Sequence, residues 1–399
     1  MREHICARHR NRYNLNSTKW NYTDIEFGQT NLLPMWIADM DFIIPKETIR
    51  AMRKRVKQGV FGYTRISEEY RLAIKEWLFK KRNLNIDSSW IVCTIGVMSA
   101  IKNLIYSLTE KGDKVLVQSP VYNHFISAII ETGRIPIMSK LVYENDEYCM
   151  DFDDLDMKFS NDVKVMLLCN PHNPIGRVWR EEELDKLGQL CEFYNIKVIS
   201  DEIHADIVFS GNKFNSIYNI KSIDKSHAYI CSSFSKTFNI AGLTMGFTII
   251  ADAKMKGIFR NVIEKNGANQ TNVFGLLASQ VSIQKGDNWH FKLMKYLQEN
   301  LYIIEKFFSD KAPLFKLIKP EGTYLVWIDC RVLHKHLDSA DFFTNIAKVA
   351  VSDGRQYGEG GEGFQRMNIA CSKRTLKEAM RRIEVAYKKI LNRYSSQIN

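Results

Sequence analysis

From about Lys46 to Ser282 the chain alternates amphipathic stretches at helical spacing with short apolar runs: WIVCTI (90–95), KVLVQS (114–119), VKVMLLCN (163–170), IKVISDE (196–202), HAYICSS (227–233) and GFTII (246–250). Runs that stay apolar on both sides and are separated by helices predict an α/β fold with a mostly parallel sheet covered on both faces. Around Trp289 the pattern changes. Long helical stretches are followed by TYLVWID (323–329), a helix near Ala340, the run QRMNIA (365–370) and a terminal helix from about Arg374 to Leu391, which predicts a smaller α+β domain. The expected division is therefore a large domain over 46–288 and a small one over 289–399, with no flexible linker between them. The first 45 residues have little regular pattern and are expected to lie over other surfaces and join the small domain.

Composition narrows the function classes. No stretch approaches the ~20 apolar residues of a membrane helix, and the charged start MREHICARHRNRYN has no apolar run behind it, so neither a membrane span nor a secretory leader is expected. The net charge of +11 is scattered, without a nucleic-acid-binding pattern, which points to an anionic ligand or a Lys-rich surface rather than to nucleic acid. Eight cysteines stand singly, never as C-x-x-C, and several sit inside apolar runs. That spacing argues against a metal site and for a reducing, cytoplasmic setting.

In doubly wound sheets functional residues gather where strands end, so the residues after each apolar run carry the chemistry. Asn173 follows VMLLCN in the loop Pro171-His172-Asn173-Pro174, Asp201 ends VISD, Lys236 follows YICSS in Phe234-Ser235-Lys236, and Gly96-Val97-Met98-Ser99 opens a helix after WIVCTI. An amide, an acid, a lysine and a glycine-led helix N-terminus at four strand ends describe a site for a phosphorylated cofactor with a basic ring nitrogen and a reactive carbonyl. Each residue also has a plainer reading. Lys236 is either a lysine made nucleophilic by removal from water or one surface lysine among many. Asp201 either meets a cation or caps a helix, and Asn173 either donates to a ring oxygen or makes a turn. Ser233 and Ser235 can add hydroxyls to a phosphate or close a strand end, and Tyr122 can stack on a ring or fill core.

The stretch 358–363, GEGGEG, satisfies G-x-G-x-x-G but is not followed by a long helix, and two glutamates there would repel a pyrophosphate. It is read as a flexible loop delivering Arg366, whose guanidinium can clamp a carboxylate or form a surface ion pair.

Six blocks then carry a resemblance over almost the whole chain: LPMWIADMDF (33–42), FGYT (61–64), NPHNPIGRVW (170–179), SDEIHADIV (200–208), SKTFNIAGL (235–243) and EGTYLVWID (321–329). Together they resemble the fold-type I pyridoxal-phosphate enzymes of the class I/II aminotransferase group, and most closely the MalY/PatB-type carbon–sulfur β-lyases, which are cystathionine β-lyase-like and include the cystalysin type. The resemblance implies a seven-stranded large domain and pyridoxal 5'-phosphate as cofactor. It implies that Lys236 binds the cofactor aldehyde, Asp201 pairs with the pyridine nitrogen, Asn173 with the ring hydroxyl, and Tyr122 stacks on the ring. Backbone at Val97 and Met98 with Ser233 and Ser235 would cradle the phosphate, and His204 would lie near the cofactor. Arg366 would bind the substrate carboxylate, opposite the backbone of Ala38. Tyr63 would reach the phosphate of a neighbouring subunit, implying a homodimer with shared sites.

Two departures qualify the resemblance. Thr244 stands where typical aminotransferases carry a phosphate-clamping arginine, as in the lyase branch, and Asn123-His124 follow Tyr122 where several lyases have Tyr-Pro. The implied reaction is α,β-elimination on a small sulfur amino acid, with pyruvate, ammonia and a thiol as products. An aminotransferase is the nearest competitor, and a lyase that also acts as a regulatory binding protein is the next.

Overall fold

The computed structural model describes residues 12–333 and 337–394. Seven strands form the larger sheet: β1 (Ile91–Thr94), β2 (Lys114–Ser119), β3 (Ile135–Lys140), β4 (Val163–Cys169), β5 (Lys197–Asp201), β6 (Ala228–Ser232) and β7 (Gly246–Ile249). Their order is β1-β7-β6-β5-β4-β2-β3, with β7 antiparallel to both neighbours and the pairs from β6 through β3 parallel. Parallel strands need crossovers, and the helices Val97–Leu108, Asn123–Glu131 and Glu181–Phe193 supply them. The alternating apolar runs thus become the expected α/β sheet, buried through Val115–Val117, Val165–Leu168 and Val198–Ile199. β3 has no counterpart among the apolar runs. It is an edge strand with Pro136 in it and Ile135 exposed, which is where a strand tolerates both.

The second sheet has four strands, β8 (Lys316–Ile318), β9 (Leu325–Asp329), β10 (Ser352–Asp353) and β11 (Phe364–Asn368), antiparallel in the order β8-β9-β11-β10. The long helices Asp287–Lys311 and Lys373–Tyr394 accompany it. Asn300 of the first ties helix to sheet by donating to the carbonyls of Ile369 and Cys371 at 2.8 and 2.9 Å.

The segment before Lys46 joins both halves of the molecule. Leu33–Pro34 pairs in parallel with Val349–Ala350, and the Met35 and Asp41 backbones bond those of Asn368 and Ala370. On the other side Asn239, next to the Lys236 helix, accepts from Met40 N at 3.0 Å and donates to the carbonyls of Met40 and Phe42. Asp41, in this segment, is buried and meets Arg12 at 2.8 Å, Lys19 at 3.2 Å and the Trp20 indole at 3.0 Å. Burial alone would raise the Asp41 carboxyl. The Lys19 charge and the Arg12 hydrogen bond outweigh it and hold the group below its usual range.

Lys19 is itself fully buried, so Lys19→Met removes a charge that Asp41 cannot replace with water. The expected cost is roughly 3 kcal/mol at neutral pH by urea unfolding. A carboxyl held low contributes stability above its unfolded value and loses it as pH falls through the folded one, so the gap between wild type and variant is expected to close in acid. A gap that persists unchanged in acid would show that the Asp41 charge is not its source.

Candidate active site

β5 is central in the large sheet, and its register sets Asp201 between Cys169 of β4 and Cys231 of β6. Two small side chains on the flanking strands leave space beside the carboxyl where the strands end. A cavity of about 360 Å³ opens there. Ala38, Val97, Met98, Tyr122, Asn173, Asp201, His204, Ser233, Ser235 and Lys236 all line it, although they come from eight separate places in the chain. Of the residues singled out from the sequence, Arg366 reaches this group through Asn173, and Tyr63 alone stands apart.

Lys236 lies in the one-turn helix Ser235–Phe238 after β6, and its Nζ donates to the Ala38 carbonyl at 2.6 Å. That carbonyl also accepts from the Tyr324 hydroxyl at 2.8 Å. Removal from water lowers the amine to about 8, helped by the Arg366 charge and opposed by Asp39 and Asp201. Asp201 is pushed up to about 7 by burial, against a hydrogen bond from the Ile203 amide at 3.0 Å and the Lys236 charge. No helix follows Asp201; residues 203–206 form a turn, so the alternative of a helix cap does not apply. His204 is buried, its Nδ1 has no hydrogen-bond partner among the described residues, and burial together with Lys236 and Arg366 keeps the ring neutral.

The helix Val97–Leu108 points its first turn at the cavity. Its N-cap is Gly96 at φ 125°, with no side-chain cap, and among the described residues no side chain accepts from the first backbone N–H groups. Gly246 of β7 lies against this turn, where a Cβ would come within 3.0 Å of the Gly96 backbone. Ser235 lines the cavity beside it. Ser233 is committed within the strand end, donating to the Met245 carbonyl at 2.5 Å and accepting from Ser235 N at 3.0 Å. Thr244 also lines the cavity, in the left-handed region at φ 46°, which a β-branched residue rarely adopts. Tyr122, raised to about 12 mainly by burial, packs edge-on against Phe125 and His124.

Arg366 sits on β11 opposite Trp327 of β9 and is buried. Its guanidinium donates to Asn173 Oδ1 at 3.0 Å, the Trp36 carbonyl at 2.7 Å and Ser352 Oγ at 3.2 Å, and lies over the Tyr357 ring. None of these partners is a carboxylate, so a surface ion pair is not its role, and Nε has no partner among the described residues. The glycine-rich stretch before it is not the flexible loop read from the sequence. It is a pair of turns closed on the preceding segment, where a Cβ on Gly354 would fall 2.0 Å from the Gly361 carbonyl oxygen. Arg366 is therefore delivered by a buried strand.

Tyr63 is fully exposed in the stretch between two helices, near exposed Val60 and Phe61. Three residues around the site were not singled out from the sequence: Tyr324 and Asp39 near the amine, and Tyr357 beneath the Arg366 guanidinium. Tyr324 and Asp39 stand inside the EGTYLVWID and LPMWIADMDF blocks, so the signal was present, but only the fold brings their atoms to Lys236.

In cofactor-free protein, reductive methylation followed by mass spectrometry is expected to modify Lys236 with a midpoint near pH 8, below that of surface lysines. A midpoint close to theirs would mean that burial does not depress this amine.

The family model for aminotransferase class I and II matches residues 31–383. Cystathionine β-lyase PatB of Bacillus subtilis is 36% identical over 374 residues, covering 93% of this chain and 96% of that protein. Protein MalY of Escherichia coli is 33% identical, covering 91% and 93%. The crystal structure of cystalysin from Treponema denticola, which contains pyridoxal 5'-phosphate, superposes with a TM-score of 0.92 at 30% identity, covering 96% of this chain and 98% of that one. The chain belongs to the class I and II aminotransferase family and, within it, to the branch of PatB and MalY.

Proposed function

We propose that the chain is a pyridoxal 5'-phosphate-dependent carbon–sulfur β-lyase that converts L-cystathionine, L-cysteine or S-substituted cysteines to pyruvate, ammonia and a thiol. The observation that carries this reading is the meeting, in one cavity, of an amine lowered to about 8 and a buried carboxyl raised to about 7 that has no ion-pair partner at hydrogen-bond distance among the described residues. The residues fit the cofactor. A protonated ring nitrogen would give Asp201 the cation it lacks, and the uncapped helix start at Val97 and Met98 with Ser235 suits a phosphate, Ser233 bracing the turn. Asn173, whose oxygen is taken by Arg366, keeps its NH₂ for a ring oxygen, and Tyr122 and His204 complete the walls.

When bound, pyridoxal phosphate supplies the electron sink that makes an amino acid's α-proton removable. The chain's own residues do the rest. Arg366 orients the substrate carboxylate, with Nε and the Asn173 bridge fixing the fork, and the backbone of Ala38 forms the opposite lip. Lys236 Nζ takes the α-proton; an amine near neutrality is poised to accept and return it. The bond between the β-carbon and sulfur then breaks, its electron pair leaving with the sulfur, which takes up the proton held by Lys236 and departs as thiol; water then hydrolyses the released enamine to pyruvate and ammonia. Thr244, in place of a second cationic clamp, supports the lyase reading over transamination. Tyr63, with Val60 and Phe61, gives an exposed apolar face suited to a second copy of the chain, whose phosphate site Tyr63 would complete. Buried, unpaired thiols such as Cys169 and Cys231 suit a reducing cytoplasm.

Purified protein with pyridoxal phosphate is expected to release pyruvate from L-cystathionine without any keto acid, and Lys236→Ala to release none. Turnover that requires a keto acid would replace elimination by transamination. Arg366→Lys, which cannot make a fork, is expected to raise KM about tenfold or more. If sites are shared, mixing inactive Lys236→Ala and Tyr63→Ala chains would restore up to about one quarter of wild-type activity through mixed dimers. No recovery after verified subunit exchange would remove Tyr63 from the partner's site.

A further inference from the structure

Directly behind the lysine helix lies a charged cluster that the reaction does not use. Asp206 and Arg82 are both buried with no side-chain exposure, and they pair at 2.8 and 3.1 Å through two nitrogens of the guanidinium. The Asp206 carboxylate also accepts from the Trp77 indole at 3.0 Å and from the Thr237 hydroxyl at 2.8 Å. Its backbone carbonyl accepts from His290 Nε2 at 2.7 Å. Arg82 spends its remaining nitrogen on Ser232 Oγ at 3.1 Å, and Ser232 donates onward to the Glu202 carbonyl at 3.1 Å.

Each end of this cluster is one residue from the chemistry. Thr237 follows Lys236, Glu202 follows Asp201, and Asp206 closes the turn that carries His204. A one-turn helix has no stability of its own, so something outside it must fix its orientation. The Thr237–Asp206 bond is the one side-chain hydrogen bond the helix residues send back into the core among the described residues. A fully satisfied buried ion pair is costly to loosen, because any break leaves a charge without water, which makes it a rigid post. Burial alone would raise Asp206, yet the Arg82 charge and hydrogen bond hold it at about 2, so the post stays charged through neutral pH.

We propose that Asp206, held by Arg82, is a positioning residue that aims Lys236 through the Thr237 hydroxyl and keeps it in register with Asp201 and His204. The proposal rests on the reading of Lys236 as the cofactor's lysine. It assigns a function to a pair outside the cavity that touches neither substrate nor cofactor.

Thr237→Val removes the hydroxyl at nearly constant volume, and Thr237→Ser restores it; both leave the ion pair in place. In Thr237→Val, kcat is expected to fall about tenfold with KM changed less than about twofold, since Arg366 is untouched. The pH midpoint of the bound cofactor's visible absorption is expected to move by about half a unit or more, with Thr237→Ser returning both values to wild type. A Thr237→Val protein with a lowered Tm but wild-type kcat and midpoint would overturn the proposal and leave Asp206 as a folding element alone. Wild type that shows no visible absorption with pyridoxal phosphate would overturn the cofactor reading itself, and the two failures are distinguished by which protein shows them. Asp206→Asn keeps the shape but offers an NH₂ to donors, and is expected to reproduce the Thr237→Val changes in whatever fraction folds. A folded fraction with unchanged absorption would count equally against the proposal.

Discussion

The constraint on which the structure turns is that Lys236 must be kept out of water without a fixed counter-ion. An ammonium buried against a carboxylate at contact distance would stay charged and inert. Here the amine meets a carbonyl oxygen instead, that of Ala38, with Asp39 and Asp201 near enough only to moderate the effect of burial. That arrangement requires a wall on the far side of the cavity, and the chain before Lys46 supplies it. Asn239 clamps this wall to the lysine side, while the bond from the Asn368 amide to the Met35 carbonyl ties it to the small sheet. The buried cluster at Asp41 then keeps the strap from peeling away. What reads in the sequence as a patternless stretch brings Ala38, and with it the carbonyl that receives Lys236, to the cavity wall.

Two carboxylates five residues apart show how the surroundings divide the work. Asp201 is buried in the cavity wall with one amide for company and rises to about 7; Asp206, with Arg82, Trp77 and Thr237 around it, is held at about 2. In the proposed function the first would receive a cation, whereas the second already holds one, Arg82. Such divergence within one turn is how a fold separates a group that acts from a group that braces.

Much of this could be read from the residues. The parallel strands announced themselves as apolar runs, and Asn173, Asp201 and Lys236 stood at their ends, because buried strands and strand-end chemistry both leave local signatures. What depends on distant pairing did not. β3 escaped because an edge strand can carry proline and exposed side chains, and the antiparallel course of β7 leaves no mark on its composition. The glycines of 358–363 resembled a mobile loop, although at Gly361 the lack of a side chain serves a close backbone approach to Gly354. Tyr324 and Arg82 look like ordinary core and surface residues until the fold brings one 286 positions to Ala38 and the other 124 to Asp206.

The most direct test of the account is chemical. Borohydride reduction of the cofactor-loaded protein, followed by digestion and mass spectrometry, asks which residue the cofactor is joined to. The account requires one pyridoxyl phosphate group per chain, on the peptide containing Lys236. Labelling on another lysine, or scattered over several, would contradict it.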